Sequence, residues 1–382
     1  MVEKLLDVCD FQGGTQPPKD EWVSEPKDGY IRMLQIRDYT QGDEKFIEYV
    51  LDNGKLHKCT EEDIMLSRYG YIGQAFTGLS GAYNVALVKV IKKKPVHNPY
   101  LLYYFKSGYF QHHLLDNVGA RATIPGFNKS ELKDAVINIP NQEKQEYISG
   151  NLRKIEGIIA LRQQELQKLD NLIKARFVEL FGDAVDNPMG WEKKQLQEIV
   201  TDDCTISYGI VQTGDDQEEG VPVFRPVDIV NRVPKLNELK KTTEEISNKY
   251  KRTILKGREM LITVRANIAD TCIVGEEFRG CNVGRGIVPI RTKEDVIVLE
   301  FLKYLMDSKH LNDVIKNKAK GITLIQLNME DLREVELIIP PLEQQKAFVE
   351  FAEQVDKSKF VVQKAIDEAQ WLYDSLMQKY FG

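Results

Sequence analysis

The chain carries many side chains capable of chemistry, yet the spacings that catalysis needs are absent from its 382 residues. An adenine methyltransferase uses an Asn/Asp-Pro-Pro-Tyr/Phe clamp and a glycine-rich cofactor loop. The nearest match, Asn98-Pro99-Tyr100, lacks one Pro and opens a helix, and its counterpart in the second half reads Val298-Leu299-Glu300. No G-x-x-x-x-G-K-S/T loop offers to cradle phosphates. His112 and His113 are adjacent, so on a helix they point about 100° apart and cannot share one metal. The five cysteines, Cys9, Cys59, Cys204, Cys272 and Cys281, are odd in number and show no C-x-x-C spacing, which reads as reduced structural thiols. Hydrogen bonding to base edges is one chemistry that other side chains here could do. The planar fork of Arg meets guanine O6 and N7 together, and Asn or Gln pairs with adenine N6 and N7. Residues suited to this follow an expected strand at Ile64–Ser67, namely Arg68, Tyr69, Tyr71 and Gln74, with Tyr83 and Asn84 beyond. The second half offers Arg265 and Asn267, then Arg279, Asn282 and Arg285. Arg37, Arg121, Arg225 and Lys320 are secondary candidates, and Lys92-Lys93-Lys94 suits phosphate contact better than base reading. For each residue alone, a solvated side chain is the competing reading.

These candidates occupy equivalent places because the chain is a duplication. Thr123, Asn128, Leu132, Ile139, Pro140, Gln145 and Phe181-Gly182 return as Thr323, Asn328, Leu332, Ile339, Pro340, Gln345 and Phe381-Gly382, an offset of 200. Toward the N-terminus the offset drifts: 200 at Leu102/Leu302, 198 at Asn84/Asn282, about 196 at Ile72/Ile268, and 191 at Gly29/Gly220 and Leu5/Leu196. Small insertions in loops on a shared scaffold produce such drift. In each copy, short β-type runs separated by Gly, Pro and Asn punctuation lead to a helix, expected at Pro99–His113 and Val298–Leu311. A strand then runs through Pro140 or Pro340 into a long helix.

The long helices are expected at about Gln142–Leu180 and Leu342–Tyr380. A heptad frame from Ile148 places Ile148, Ile155, Arg162, Leu169 and Arg176 on one row of the seam, and Leu152, Ile159, Leu166, Ile173 and Leu180 on the other. The same frame in the second copy gives Phe348, Val355, Val362, Ala369 and Leu376 on the first row, and Ala352, Lys359, Ile366, Tyr373 and Tyr380 on the second. A seam of roughly 50 Å needs a partner, and the other copy is the obvious one. The charges Arg162, Arg176 and Lys359 need carboxylates, with Glu165, Asp170, Glu179 and Asp356 near, or else face a bound subunit.

The net charge of −6 argues against a generally basic nucleic-acid binder, but charge is distributed in the same way twice. Residues 1–63 carry 15 acidic and 8 basic side chains, whereas 64–140 carry 3 and 9. Residues 183–248 carry 14 and 7, and 249–293 carry 4 and 10. Each globular region therefore has a basic part of the kind that phosphates require. No apolar run has the length of a membrane span, and the start lacks the apolar core of a signal peptide, so a cytoplasmic protein is expected.

Thr323-Leu324-Ile325-Gln326-Leu327-Asn328, then Leu332, Ile338-Ile339-Pro340-Pro341-Leu342-Glu343-Gln344-Gln345 and a long helix, closely resemble the specificity subunits of type I restriction-modification systems. So do Asn187-Pro188-Met189-Gly190-Trp191-Glu192 and Gly13-Gly14-Thr15-Gln16-Pro17. The first junction, Ile139-Pro140-Asn141-Gln142-Glu143-Lys144-Gln145, departs by lacking the second Pro and the Leu, so its helix entry is expected to differ slightly. The resemblance implies an α+β architecture: two α/β target recognition domains joined by two long antiparallel coiled-coil helices, with a pseudo-twofold internal repeat. The domains would be 1–140 and 183–340 and the helices 141–182 and 341–382. It implies a non-catalytic subunit whose two domains each read half of a bipartite, asymmetric double-stranded DNA target. The helices would set the spacing and dock two methyltransferase subunits for adenine-N6 methylation, with motor-nuclease subunits joining for cleavage. No cofactor is expected on this chain: S-adenosylmethionine belongs to the methyltransferase, ATP and magnesium to the motor-nuclease. A scaffold that binds protein partners across a helical spacer, and a methylation-only defence system, remain alternatives.

Overall fold

The computed structural model describes residues 1–118, 126–229, 234–321 and 325–382. The chain forms two compact units, one of residues 1–164 with 363–382 and the other of residues 165–362. The long helices, Gln142–Phe181 and Leu342–Phe381, are each 40 residues, about 60 Å at 1.5 Å per residue, and start and stop 200 residues apart. Each gives its first half to one unit and its second half to the other. The partition expected from sequence, two domains plus two separate helices, thus becomes two units that each contain an antiparallel pair of half-helices.

In the first unit, Tyr373 donates to Glu156 and Lys144 lies over Tyr380; in the second, Lys359 pairs with Asp170 at 2.7 Å and Arg176 lies over Phe351. Residue numbers facing each other thus sum to a near-constant, as antiparallel packing requires. The seam charges are met within the helices: Lys359 also reaches Asp356 at 3.0 Å, and Arg176 reaches Glu179 at 2.9 Å. Burial is not confined to the seam. Where a half-helix docks on its own globular core, the flanking positions Ser149, Phe177, Phe181, Val349, Met377 and Phe381 are buried as well, because two surfaces cover them instead of one.

The first unit carries a four-stranded sheet in the order Cys9–Gly13, Leu87–Lys92, Met65–Ser67, Ala75–Phe76. A second sheet has the order Tyr49–Leu51, Tyr30–Leu34, Gly81–Tyr83, Lys58–Cys59, in which Tyr30–Leu34 and Gly81–Tyr83 run parallel. The second unit repeats both in reduced form: Thr271–Val274, Glu259–Thr263, Ile287–Ile290, and Lys240–Thr242, Val221–Phe224, Asn282–Val283. Register fixes the equivalences. Met33 pairs with Ala82 as Val223 pairs with Asn282. The offset at this strand is therefore 200, matching Asn282 with Ala82 and Asn84 with Gly284, which corrects the 198 read from sequence.

Each single helix expected before the recurring turn is two helices: Asn98–Lys106 and Gly108–Val118, then Leu299–Asp307 and Lys309–Asn317. A serine interrupts both. The Ser107 hydroxyl donates to the Tyr104 carbonyl at 2.6 Å and that of Ser308 to the Leu305 carbonyl at 2.7 Å, competing with the backbone ladder. The entries to the long helices coincide despite their different sequences: the Asn141 side chain accepts from Lys144 N–H at 3.0 Å where the second copy has Pro341, a residue that needs no N–H at a helix start. Gln145 and Gln345, both buried, then clamp each entry. Gln145 accepts from His97 N–H at 2.9 Å and donates to the Pro140 carbonyl at 2.8 Å. Gln345 accepts from Val298 N–H at 2.9 Å and donates to the carbonyls of Pro340 at 2.7 Å and Val296 at 3.2 Å. The 187–191 turn is closed twice, by Asn187 donating to the Trp191 carbonyl at 2.8 Å and accepting its N–H at 2.9 Å. The Trp191 indole then caps the Phe181 carbonyl at the helix end, at 3.1 Å.

Candidate nucleic-acid interface

Strand ends converge in each unit. In the first, Gly14 N–H donates to Leu87 at 3.1 Å, Thr15 N–H to Tyr83 at 3.0 Å, Asn84 N–H to Leu34 at 3.1 Å and Arg68 N–H to Ala86 at 2.7 Å. In the second, Ile210 N–H donates to Val283 at 2.8 Å, Gly284 N–H to Phe224 at 2.8 Å and Val264 N–H to Gly286 at 2.8 Å. The approach is so close that a Cβ at Gly14 would overlap the Asn84 carbonyl and one at Gly209 the Val283 carbonyl, so only glycine serves there.

The loops after Ser67 and Thr263 share one hydrogen-bond lattice, offset by 196. The Ser67 hydroxyl donates to the Tyr71 carbonyl and accepts Gln74 N–H at 2.9 Å; the Thr263 hydroxyl donates to the Asn267 carbonyl and accepts Asp270 N–H at 3.0 Å. Gly73 N–H returns to Ser67 at 2.7 Å and Ala269 N–H to Thr263 at 2.9 Å. Positive φ recurs at Gly70 (72°) and Gly73 (80°), and at Ala266 (59°) and Ala269 (65°). Equivalent positions are thus Tyr69 and Arg265, Tyr71 and Asn267, and Gln74 and Asp270.

This convergence gathers Arg68, Tyr69, Tyr71, Gln74 and Asn84 in the first unit, and Arg225, Arg265, Asn267 and Arg285 in the second. Their side chains differ in freedom. Arg68 is occupied internally, donating to the Phe127 carbonyl at 3.1 Å and to the Asn128 side chain. Tyr69 covers Gly126, whereas Tyr71 is 78% exposed. Asn84 accepts Ala86 N–H at 3.1 Å in a turn. Arg225 is neutralised by Asp228 through a fork at 2.8 and 3.0 Å, a contact that raises the guanidinium's pKa. The exposed side chains of Gln74 and Asn267 point to solvent. Arg265 donates to Gln326, and burial followed by the neighbouring Arg285 cation holds its pKa below the ordinary value. Arg285 is exposed and lies over the Tyr208 ring at 5.9 Å.

Other candidates fall elsewhere. Asn282 is fully buried, and its amide binds the Thr253 hydroxyl at 2.8 Å and the Ser247 hydroxyl at 3.1 Å; it is a structural group with nothing left to offer a base. Arg279 precedes the same strand, paired with Glu276 at 2.5 Å, at the end away from Arg285. Arg37 joins Lys19 and Gln35 on Glu48. Lys92, Lys93 and Lys94 lie at the far end of the Leu87–Lys92 strand, occupied by the Val96 and Leu6 carbonyls and by Glu3. Lys320 bridges to Gln326 and reaches Asp331 at 3.8 Å. Arg121 lies outside the described residues. Sequence reading missed Tyr208 and Gln326. The available signal was Gly209, the echo of Gly14 at an offset of 195, which carries Tyr208 to the place of Gly13.

The motifs weighed for catalysis are used in packing. Tyr100 of Asn98-Pro99-Tyr100 is buried, its hydroxyl on the Asn138 carbonyl at 2.7 Å, and Asn98 donates to the Glu62 carbonyl at 3.0 Å. All five cysteines are free and buried, and burial pushes the Cys9 and Cys272 thiols up to about 12. Among the described residues, Asp183, Asp186 and His310 are the one group with metal-ligand proximity; Asp183 already accepts two backbone N–H groups, at 2.8 and 3.0 Å, in closing the turn after the first long helix. No described helix is long and apolar enough to cross a membrane.

Comparison with known proteins gives a consistent match. The model of the type I restriction modification DNA specificity domain fits residues 1–171 and again 188–369. The chain is 22% identical to the EcoBI specificity subunit of Escherichia coli, over 94% of this chain and 80% of that one. It is 24% identical to the MjaIX specificity subunit of Methanocaldococcus jannaschii, over 89% and 83%. Its fold resembles the type I restriction-modification S subunit of M. genitalium, with TM-score 0.58 and 13% identity over 100% of this chain and 96% of that one. It also resembles a chain from a structural study of type I restriction-modification complex assembly, with TM-score 0.64 and 17% identity over 100% and 97%.

Proposed function

We propose, from the premise that the chain belongs to the type I restriction-modification DNA specificity family, that each of its two units reads one half of a bipartite, asymmetric DNA target. The observation that carries this reading is the pair of convergent loop sets, which share three backbone hydrogen bonds at equivalent positions and the lattice of the loops after Ser67 and Thr263, and differ in exposed side chains. A conserved frame with unlike side chains suits two readers of unlike half-sites. The loops after Ser67 and Thr263 in each set lie in the more basic part of their region, which favours phosphate contact.

The chain contributes recognition only. Methyl transfer to adenine N6 is assigned to two methyltransferase subunits that bring S-adenosylmethionine, and cleavage to motor-nuclease subunits that bring ATP and magnesium, in the cytoplasm. The long helices serve as spacer and as docking surface. Supporting the docking role, apolar side chains stay exposed at repeated positions of the helices, Leu161 and Val361, and Leu172 and Leu372. Each unit presents one member of each pair.

Exchanging residues 183–340 for those of a relative, in the complex with the methyltransferase, is expected to change one half-site of the methylated sequence and leave the other. A simultaneous change of both half-sites would overturn the assignment of one unit to each. The purified chain alone is expected to give no calorimetric signal with S-adenosylmethionine, and measurable binding would count against a purely recognising subunit.

A further inference from the structure

The two convergent loop sets differ most at two positions that face each other across a strand pair. Thr263 pairs with Ile287, and the register continues outward through Val264 N–H to the Gly286 carbonyl at 2.8 Å, setting Arg265 opposite Arg285. The same count in the first unit, from Ser67 opposite Leu87 through Arg68 and Ala86, sets Tyr69 opposite Val85. Two guanidinium groups in one unit thus replace a phenol and an isopropyl group in the other.

Placing two like charges together on a surface costs free energy unless a counter-charge is near. Among the described residues, neither Arg265 nor Arg285 has a carboxylate within ion-pair distance, whereas Arg225, Arg258, Arg279 and Arg291 of the same unit all do. The pair is also braced. Arg265 is held by the Gln326 side chain, and the backbone of Gln326 bridges both Arg265 and Lys320. Arg285 lies over Tyr208, which is fixed by the close approach of Gly209 to Val283. An aromatic face beneath a guanidinium limits its rotamers and leaves its N–H fork free at the edge. A braced, unneutralised Arg pair on an exposed loop surface is poised for an acceptor-rich ligand, and O6 with N7 of guanine is the planar acceptor pair that such a fork fits.

We propose that the second unit reads guanine through Arg285 and Arg265, with Tyr208 and Gln326 as positioning residues. The half-site read by the first unit draws on no arginine at the equivalent places, where Tyr69 and Val85 suit apolar contact such as a thymine methyl group. This rests on the reading that each unit recognises one half-site.

The test uses the complete methyltransferase complex. Its methylated sequence is mapped in a host without other adenine methylation, and its binding to duplexes carrying 7-deazaguanine at each guanine of the target is measured. The wild-type target is expected to hold guanine in the half-site that changes when residues 183–340 are exchanged. Losing N7 there is expected to weaken binding roughly ten- to a hundredfold. Arg285→Lys, which keeps the charge and removes the fork, is expected to relax selection at that base alone and to bind normal and 7-deazaguanine duplexes nearly equally. Retained selection in the other half-site reports that the variant is folded. If Arg285→Lys abolishes all methylation, the wild-type response to 7-deazaguanine decides. A half-site without guanine, or one indifferent to N7, overturns the inference while leaving the division of labour intact. A complex that selects no sequence at all overturns that division and the inference with it.

Discussion

The two units are built on one backbone plan and diverge in what they place on it. After Ser67 and after Thr263 the chain makes the same turn, closed by a hydroxyl at the same position, yet the first turn uses Gly70 and Gly73 where the second uses Ala266 and Ala269. At the tips the first unit exposes Tyr71, and the second exposes Asn267, two residues past Arg265. Recognition surfaces therefore vary over a lattice whose hydrogen bonds do not depend on the exposed side chains. On the proposed reading, that separation would let one scaffold serve two half-sites.

The comparison is sharpest beneath the loops, where the units hold equivalent carboxylates differently. Glu259 is fully buried, accepts Lys256 N–H at 2.6 Å and pairs with Arg291 at 3.2 Å. Asp63, its counterpart, accepts Thr60 N–H at 2.7 Å and pairs with the partly exposed Lys89 at 2.7 Å. Arg291→Leu leaves a buried charge uncompensated and is expected to destabilise the second unit by about 3–5 kcal/mol. Lys89→Leu is expected to cost the first unit about 1 kcal/mol, because water reaches the half-buried carboxylate. Hydrogen exchange of core amides in each unit would measure the two effects separately, and equal losses would break the contrast.

Gly209→Ala and Gly14→Ala force a methyl group into a backbone carbonyl, so both are expected to cost about 3 kcal/mol or more. Urea unfolding would report the loss. A tolerated Gly14→Ala would mean that the Gly13-Gly14-Thr15 loop can withdraw from the Asn84 strand end, unlike its echo. Next in size, Gln345→Leu strips partners from three backbone groups, two of them on buried residues, and Gln145→Leu from two on half-buried residues. Losses of about 2–3 and 1–2 kcal/mol are expected, read from thermal unfolding. The smallest effect has the opposite sign. Ala266→Gly relieves a left-handed alanine on an exposed loop, and the relief of about 1–2 kcal/mol exceeds the entropy cost of glycine, about 0.5–1 kcal/mol. A gain of about 0.5 kcal/mol is expected in the urea midpoint; a loss would show that the positive φ of the second loop is not a strained copy of the first.

Much of this plan was legible because it depends on periodicity and spacing. The long helices begin and end within a residue of the expected positions, and the offsets at Leu5/Leu196 and Ile72/Ile268 agree with strand register and loop hydrogen bonds, whereas the 191 read at Gly29/Gly220 becomes 190 along the strand, where Met33 matches Val223. What could not be read was the use of individual polar side chains. An Asn that would read adenine and an Asn that fastens a buried strand are the same residue, and Asn282 is the second kind. The breaks at Ser107 and Ser308 were hidden because apolar periodicity continues across them. Tyr208 was missed since the value of a ring beneath a guanidinium appears only when two loops distant in sequence meet.

The sharing of the long helices also orders the events of synthesis. The second unit is one uninterrupted stretch, 165–362, whereas the first requires 363–382. Met377 and Phe381 complete its core, with Phe381 lying 5.1 Å from Tyr100. At a ribosomal pace of about 5–20 residues per second, that plug follows the rest of its unit by roughly 10–40 s. The half of the molecule translated first is therefore finished last, and an aromatic socket waits open while its neighbour closes. A nascent chain arrested at residue 362 would expose that socket to proteases and chaperones while its second unit is already protected.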